Sequence, residues 1–576
     1  MLARSVRLLA LAPLALALAA QQKPPAAGAG KDAPPAAEND VQAADIAGFR
    51  AWLQEYKTGA FRLVKEDKTD EAALTALDQR MQRIAQWNTL AAAQMLFEAA
   101  SVDPKPAGAG TSTDTIDFYR ELLPWRVQAL ASKHLRSMTG EGILPWLLQM
   151  LNAPGIRAAK KNQDQQNATA VLRVLGGHPS VEAQLELIRA CHTMPIELRV
   201  QAVNAMAKDP TVDLVPTLVE LLRDTEPNVR IAAANAIGVA LQPHVDESLG
   251  KKPAATTLQL QANANQRLEE LLLRDAIWQV RSAAAFALAI QKCKSVIPVL
   301  IRGLDAELAR KKDPWAMDVR LHKLLEGLTG QSVVRGTIEP WKSFWQKEGT
   351  TFTVRPAGEE GAKKPVETKY AKFFNLEVES DRVLFVVDFS GSMAEPIKVK
   401  GTGGTGVTPL AGQAGTKAAI VVTELKRLIM SLPDGALVNI VVFSDDVRIW
   451  RQEGGRPALV RLDDVARDDL LGNFLDTLRP SGPTNLHDAL DKALDFGGRG
   501  LHDKYYAAGF DTLYVISDGA PTAGRVIDKD EIRRRVRECN NLRKIAIHCI
   551  TFGDQNDTDF LGGMARENGG RHIHVE

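Results

Sequence analysis

Polar and apolar positions follow two different rhythms along this chain. From about Val41 to Gly349, apolar residues recur at three- and four-residue spacing, alanine is abundant and β-branched runs are short. That pattern predicts a succession of amphipathic helices. From Asp381 onward the rhythm changes. Short apolar runs, "RVLFVVD" (Arg382 to Asp388), "LVNIVVFS" (Leu437 to Ser444), "TLYVISDG" (Thr512 to Gly519), "IAIHCITFG" (Ile545 to Gly553) and "RHIHV" (Arg571 to Val575), read as strands. Helical patterns such as "KAAIVVTELKRLIMSL" (Lys417 to Leu432) and "NLHDALDKALDF" (Asn485 to Phe496) lie between them. Three of the runs are almost continuously apolar, as parallel strands covered on both faces are. Strand and helix in alternation predict a doubly wound α/β sheet, which binds its ligands outside the carboxyl ends of its strands. The fold class is therefore multidomain, all-α followed by α/β with a mostly parallel sheet.

Within the helical part a unit recurs. "LVPTLVELLRDTEPNVRIAAANAIGVAL" (Leu214 to Leu241) and "RLEELLLRDAIWQVRSAAAFALAI" (Arg267 to Ile290) share a leucine-rich helix, Arg-Asp, a short turn, and Val-Arg opening an alanine-rich helix. Leu198-Arg199 and Val319-Arg320 read as further copies of the second-helix start, and "PWRVQAL" (Pro124 to Leu130) as another. The unit resembles HEAT-type α-helical repeats, in which each helix pair buries its apolar face only against its neighbours. Asp224 and Asp275, just ahead of Arg230 and Arg281, are placed to satisfy turn and helix-start donors. Trp341 and Trp345, four apart, predict a cap over the last repeat.

The flanking segments complete the organisation. Arg4 and Arg7 precede an apolar run from Leu8 to Leu18, a pattern of a secretory signal peptide with Ala17-Leu18-Ala19 as its cleavage site. The run is too short to span a bilayer, and no cysteine follows it as a lipid-attachment point. The expected organisation is 1–19 signal peptide, 20–40 Pro/Ala-rich linker, 41–349 helical repeats, 350–380 linker, and 381–576 the α/β domain. Export to the periplasm or the extracellular space follows from this reading, with no integral membrane segment in the mature chain. If flexible, Val354 to Tyr370 would span about 20 to 25 Å and let the two parts move. Cys191, Cys293, Cys539 and Cys549 are not spaced like metal ligands and are read as free thiols. A net charge of +1 gives no global reason to expect a nucleic-acid partner.

The candidate chemistry lies where the strands end. Asp388, Ser390 and Ser392 follow the first strand, with Gly391 allowing a tight turn; Asp518 follows "TLYVIS"; Thr484 lies in a Gly/Pro loop ahead of a helix. Five oxygen donors from three loops suit a hard divalent cation, and Mg²⁺ takes oxygens at about 2.0 to 2.1 Å. D-x-S-x-S after a buried strand, threonine in a G-x-T-N loop and S-D-G after a central strand together resemble the metal-ion-dependent adhesion site of a von Willebrand factor type A domain. The resemblance extends over about Asp381 to Glu576 and includes "FGD" at Phe552 to Asp554. It implies that Ser390, Ser392 and Thr484 contact the metal directly while Asp388 and Asp518 hold ordered waters on it. The cofactor implied is Mg²⁺, or another divalent cation such as Mn²⁺ or Ca²⁺. Neutral hydroxyl ligands leave such a cation able to take an Asp or Glu carboxylate from a protein partner.

"AEPIKVKGTGGTGVTPLAGQAGT" (Ala394 to Thr416) separates the serine loop from the first helix, where the family usually has only a short link. The insert should flank the metal face, as a bland loop, a cover or a determinant of partner choice. Its "GQAGTK" inverts the Gly-Lys-Thr/Ser order of a phosphate loop. His487 is read as a helix-surface residue, and His572 and His574 as solvated positions on an edge strand. The expected protein is a non-enzymatic binding protein with further protein contacts on its repeats. Two alternatives stand beside it: a metal-dependent hydrolase at the same cation, and a regulatory subunit docking on a separate ATPase.

Overall fold

The computed structural model describes residues 36–65, 68–103, 121–155, 162–208, 210–310, 316–331, 333, 336–354, 371–398, 414–495, 509–552 and 558–575. The signal peptide, most of both expected linkers, the centre of the 394–416 insert and Gly553-Asp554 of "FGD" lie outside them. No helix among the described residues is long and apolar enough to cross a membrane. Contacts divide the chain into two compact units. The described residues up to His244, with Pro253–Ala264, form one; Val245–Lys252 and the residues from Asn265 onward form the other.

In the first unit, α1 (Val215–Leu221) and α2 (Pro227–Val245) are joined by the Arg-Asp turn. Asp224 Oδ1 accepts the Glu226 N–H at 2.8 Å, and Arg230 donates to the carbonyls of Asp224 and Thr225 at 2.8 and 3.1 Å. Arg199 reaches the other Asp224 oxygen at 2.6 Å. One aspartate thus closes its own turn and receives an arginine from the preceding repeat, while a second arginine satisfies the turn's carbonyls. Alanines 232, 233, 234 and 236 are buried on α2, where small side chains let neighbouring helices approach closely.

The second unit repeats the device after α3 (Ala255–Arg274), at the start of α4 (Trp278–Ala289). Asp275 Oδ1 accepts from the Ile277 N–H at 2.9 Å, and Arg281 donates to the Asp275 and Ala276 carbonyls at 3.0 and 3.3 Å. Arg281 is fully buried and pairs with Glu307 of α5 (Ile297–Ala309) at 2.6 Å. On α6 (Met317–Thr329), Arg320 occupies the same Val-Arg position but donates to the carbonyls of Asp511 and Lys544, at 2.9 and 2.5 Å. The Ala316 N–H donates to Asp511 Oδ2 at 2.9 Å, and Lys323 pairs with Glu379. On α7 (Glu339–Glu348), Trp341 is buried and its indole N–H donates to His322 Nδ1 of α6 at 2.9 Å. Trp345 instead meets Phe352, at 6.2 Å between centroids.

The same unit contains a seven-stranded sheet: β1 (Arg382–Asp388), β2 (Leu437–Phe443), β3 (Val447–Ile449), β4 (Val460–Arg461), β5 (Thr512–Ser517), β6 (Ala546–Phe552) and β7 (His572–Val575). The order is β4-β2-β1-β5-β6-β7, with β3 also beside β2. The five strands expected from apolar runs pair in parallel; β3 and β4 run antiparallel to β2. Both sheet faces are covered. Val383, Phe385 and Val387 point into a core with Val421, Leu425 and Leu428 of α8 (Lys417–Ser431). Leu384 and Val386 point the other way, against α9 (Leu486–Leu494), α10 (Lys529–Arg543) and α11 (Thr558–Glu567). Double coverage is why the strands read as unbroken apolar runs.

All four cysteines are free, with Cys191, Cys293 and Cys549 buried. Pro396–Lys398 pairs antiparallel with Ala414–Thr416, closing the insert at its base.

Candidate metal centre

β1 ends on Asp388, still in register with Phe443 of β2, so its carboxylate is buried at the carboxyl edge of the sheet. Its Oδ1 accepts the Ser390 N–H at 2.8 Å and its Oδ2 accepts the Ser517 hydroxyl at 2.5 Å. Burial pushes the Asp388 carboxyl up to about 6, against these donors, with Asp518 adding repulsion. Ser390 is extended, and Gly391–Ala394 make one 3-10 turn that brings Ser392 back toward the edge. The two hydroxyl oxygens lie 3.2 Å apart, and Ser392 donates to Asp518 Oδ1 at 2.8 Å. Asp388, Ser390, Ser392 and Asp518 therefore form one connected group.

Thr484 arrives by its backbone. The Gly391 N–H donates to the Gly482 carbonyl and the Ser481 N–H to the Phe389 carbonyl, both at 2.8 Å, so the serine and threonine loops are stitched together. Gly482 holds φ +73, and an added Cβ would come within 3.1 Å of Asp445 Oδ1. The left-handed φ favours glycine there, and any side chain would also have to displace Asp445 slightly. The Thr484 N–H donates to Thr522 Oγ1 at 2.9 Å, and its carbonyl accepts from Thr522 and Ala523. Its hydroxyl is not hydrogen-bonded to the other four residues, although Thr484 is buried beside their loop.

Lys417 is not among the residues expected at the site. This first residue of α8 places its ammonium 2.7 Å from Asp518 Oδ2 and 2.7 Å from Glu395 Oε2. Burial opposes the charge, but the two carboxylates outweigh it and hold the lysine above its ordinary range. The available signal was electrostatic, because a lysine in a helix's first turn opposes the macrodipole and needs a separate reason. Ser517 and Thr522, the residues that orient Asp388 and Thr484, carried no such signal.

The histidines differ from expectation. His487 is buried rather than on a helix surface: Nδ1 lies 2.8 Å from Asp488 Oδ1 and Nε2 3.2 Å from Arg535. Burial is the main cause of its lowered pKa. His572 and His574 are half-buried, each 2.9 Å from Thr551 Oγ1. His548 is buried, stacked on Tyr514 at 4.8 Å, and its Nδ1 accepts the Arg571 N–H.

Among the described residues, no three His, Cys, Asp or Glu side chains gather in metal-holding geometry. The connected group at the sheet edge has a different composition, two carboxylates and two hydroxyls with Thr484 beside their loop, which matches the preference of a hard cation. A buried carboxylate raised by desolvation beside a second one is the local imbalance that a cation relieves.

A family model described as von Willebrand factor type A domain matches residues 411–573, and one described as HEAT repeats matches residues 185–259. The chain carries a von Willebrand factor type A domain behind HEAT-like repeats. The chain is similar to inter-alpha-trypsin inhibitor heavy chain H2 of Homo sapiens, 26% identical over 200 residues, 34% of this chain and 18% of that protein. Heavy chain 4 of Mus musculus is 26% identical over 197 residues, again 34% and 18%. The chain thus spans less than a fifth of the length of these relatives. Among solved structures, the von Willebrand factor type A protein from Catenulispora acidiphila aligns over 35% of this chain and 40% of its own, at 17% identity and a TM-score of 0.25. The A-domain model begins beyond Asp388, Ser390 and Ser392, so the first loop of the site rests on its own geometry.

Proposed function

We propose that the A domain binds a divalent cation at Asp388, Ser390, Ser392, Thr484 and Asp518 and uses it to hold a carboxylate of a protein partner. The observation that carries this reading is the joined group Asp388–Ser390–Ser392–Asp518, in which hydroxyls lie between two acidic side chains at the ligand edge of a parallel sheet. Ser390, Ser392 and Thr484 would hold Mg²⁺ directly, and Asp388 and Asp518 would hold its waters. The cation supplies Lewis acidity that neutral hydroxyls do not quench, and that favours an Asp or Glu side chain from outside. Around it the protein fixes donors rather than moving protons. The nearest imidazole on the sequence, His487, has both ring nitrogens engaged by Asp488 and Arg535, which favours binding over hydrolysis. The HEAT-like repeats supply a second protein-binding surface in this reading. The chain works outside the cytoplasm, as the N-terminal pattern expects.

The test is capture of a carboxylate-bearing partner by the full chain, in Mg²⁺, in chelator, and with Asp388→Ala plus Ser390→Ala. Capture should need Mg²⁺ and disappear in the double variant. Capture indifferent to chelator and to the substitutions would overturn the reading.

A further inference from the structure

Lysine is an unfavourable choice at the position of Lys417. It opens α8, directly after the N-cap Thr416, where the exposed N–H groups already present positive potential. Its side chain is only 9% exposed, so the charge also loses most of its water. Its contacts account for the choice. The ammonium lies 2.7 Å from Asp518 Oδ2, whose other oxygen receives the Ser392 hydroxyl, and 2.7 Å from Glu395 Oε2. Asp518 is 1% exposed and Glu395 is 63% exposed, so the ammonium bridges an inner and an outer carboxylate. The Lys417 N–H also donates to the Glu395 carbonyl at 3.1 Å, which fixes the two residues side by side.

We propose that Lys417 is an internal competitor for the divalent cation: its ammonium neutralises Asp518 in the metal-free site and shifts onto Glu395 when the cation loads. This rests on the cation reading given above. The physical basis is charge. Asp388 and Asp518 are two buried carboxylates joined through two serines, and one ammonium partly offsets them. A divalent ion on the serine hydroxyls would lie within a few ångströms of that ammonium, where like charges repel strongly in a partly buried site. Glu395 offers the displaced charge a partner already in contact. Lys417 thereby lowers cation affinity and stabilises the empty site, and Glu395 moderates the penalty.

Calorimetric titration of the full chain with Mg²⁺ tests this, with thermal melting in chelator as the second readout. Lys417→Met should bind Mg²⁺ at least about tenfold more tightly than wild type and melt lower in chelator. Glu395→Gln, at an exposed position, should bind Mg²⁺ more weakly, because the ammonium then has only Asp518. A lysine that merely orients Asp518 would move both variants toward weaker binding. Lys417→Met binding no tighter than a wild type that does bind overturns this inference and leaves the cation reading intact. No Mg²⁺ binding by either protein overturns both, whereas binding by Lys417→Met alone supports the competition. If Lys417→Met does not fold, unchanged or tighter binding by Glu395→Gln overturns the inference.

Discussion

Asp388 and His548 are buried ionisable residues with opposite consequences for pH. Asp388 has its carboxyl raised to about 6, above its unfolded value of about 3.9. The metal-free protein therefore has the full benefit of protonated Asp388 below about pH 4 and loses it as pH rises through 6. A bound cation would reverse that loss. The rise in melting temperature on adding Mg²⁺ should be large at pH 7.5 and shrink below pH 6, and Asp388→Asn should flatten the pH dependence in chelator. His548 is lowered to about 3, first by burial and then by Lys323 and Arg571. Its contribution is present above the unfolded value of about 6.5 and is lost as pH falls toward 3. His548→Gln keeps an acceptor for the Arg571 N–H, and should melt with a shallower decline between pH 6.5 and 4 than wild type.

At the scale of elements, the repeat arginines show how one motif serves two ends. Arg281 is fully buried, tied to Glu307 and to the carbonyls of its own turn. Arg281→Ala would leave Glu307 buried without its closest partner, and should cost about 3–5 kcal/mol in denaturant unfolding. Arg281→Ala combined with Glu307→Gln should recover part of that loss. Much of this was legible in the sequence: Arg-Asp, a turn and Val-Arg identify the helix pairs, and Asp224 and Asp275 satisfy turn donors as their positions suggest. What Arg320 does was not legible, because it shares the local motif of Arg281 while its partners, Asp511 and Lys544, lie far along the chain. The five parallel strands were legible because double coverage leaves an apolar signature. β3 and β4 were not, being short, partly exposed strands specified by pairing to β2. In the candidate site, residue types and their places after strands picked out Asp388, Ser390, Ser392, Thr484 and Asp518, but Lys417 left only an indirect electrostatic trace because one of its partners is a carboxylate about a hundred positions away.

At the scale of the molecule, the repeat and A-domain labels do not coincide with the compact units. The helices from Trp278 to Glu348 belong to the same unit as the sheet, joined through Arg320, Ala316 and Lys323. A chain beginning at Asn265 should therefore melt in one transition and higher than one beginning at Ala371, which exposes the carbonyls of Asp511 and Lys544. Arg320→Ala in the full chain should speed amide exchange at Ala316 relative to wild type. Equal melting of the two truncated chains would show that these contacts add nothing to the A domain.

The small ribbon at the base of the insert bears on how the protein can be handled. Lys398 and Ala414 face each other in register, so the two described ends of the insert are adjacent. Downstream of that clasp, Thr416 and Lys417 begin α8; upstream, Glu395 already touches Lys417. The length between the clasped residues is thus decoupled from the spacing of the site. A fluorophore-bearing loop or an affinity peptide can replace residues 399–413 and report from beside Glu395 and Lys417, with the candidate cation-binding residues left in place.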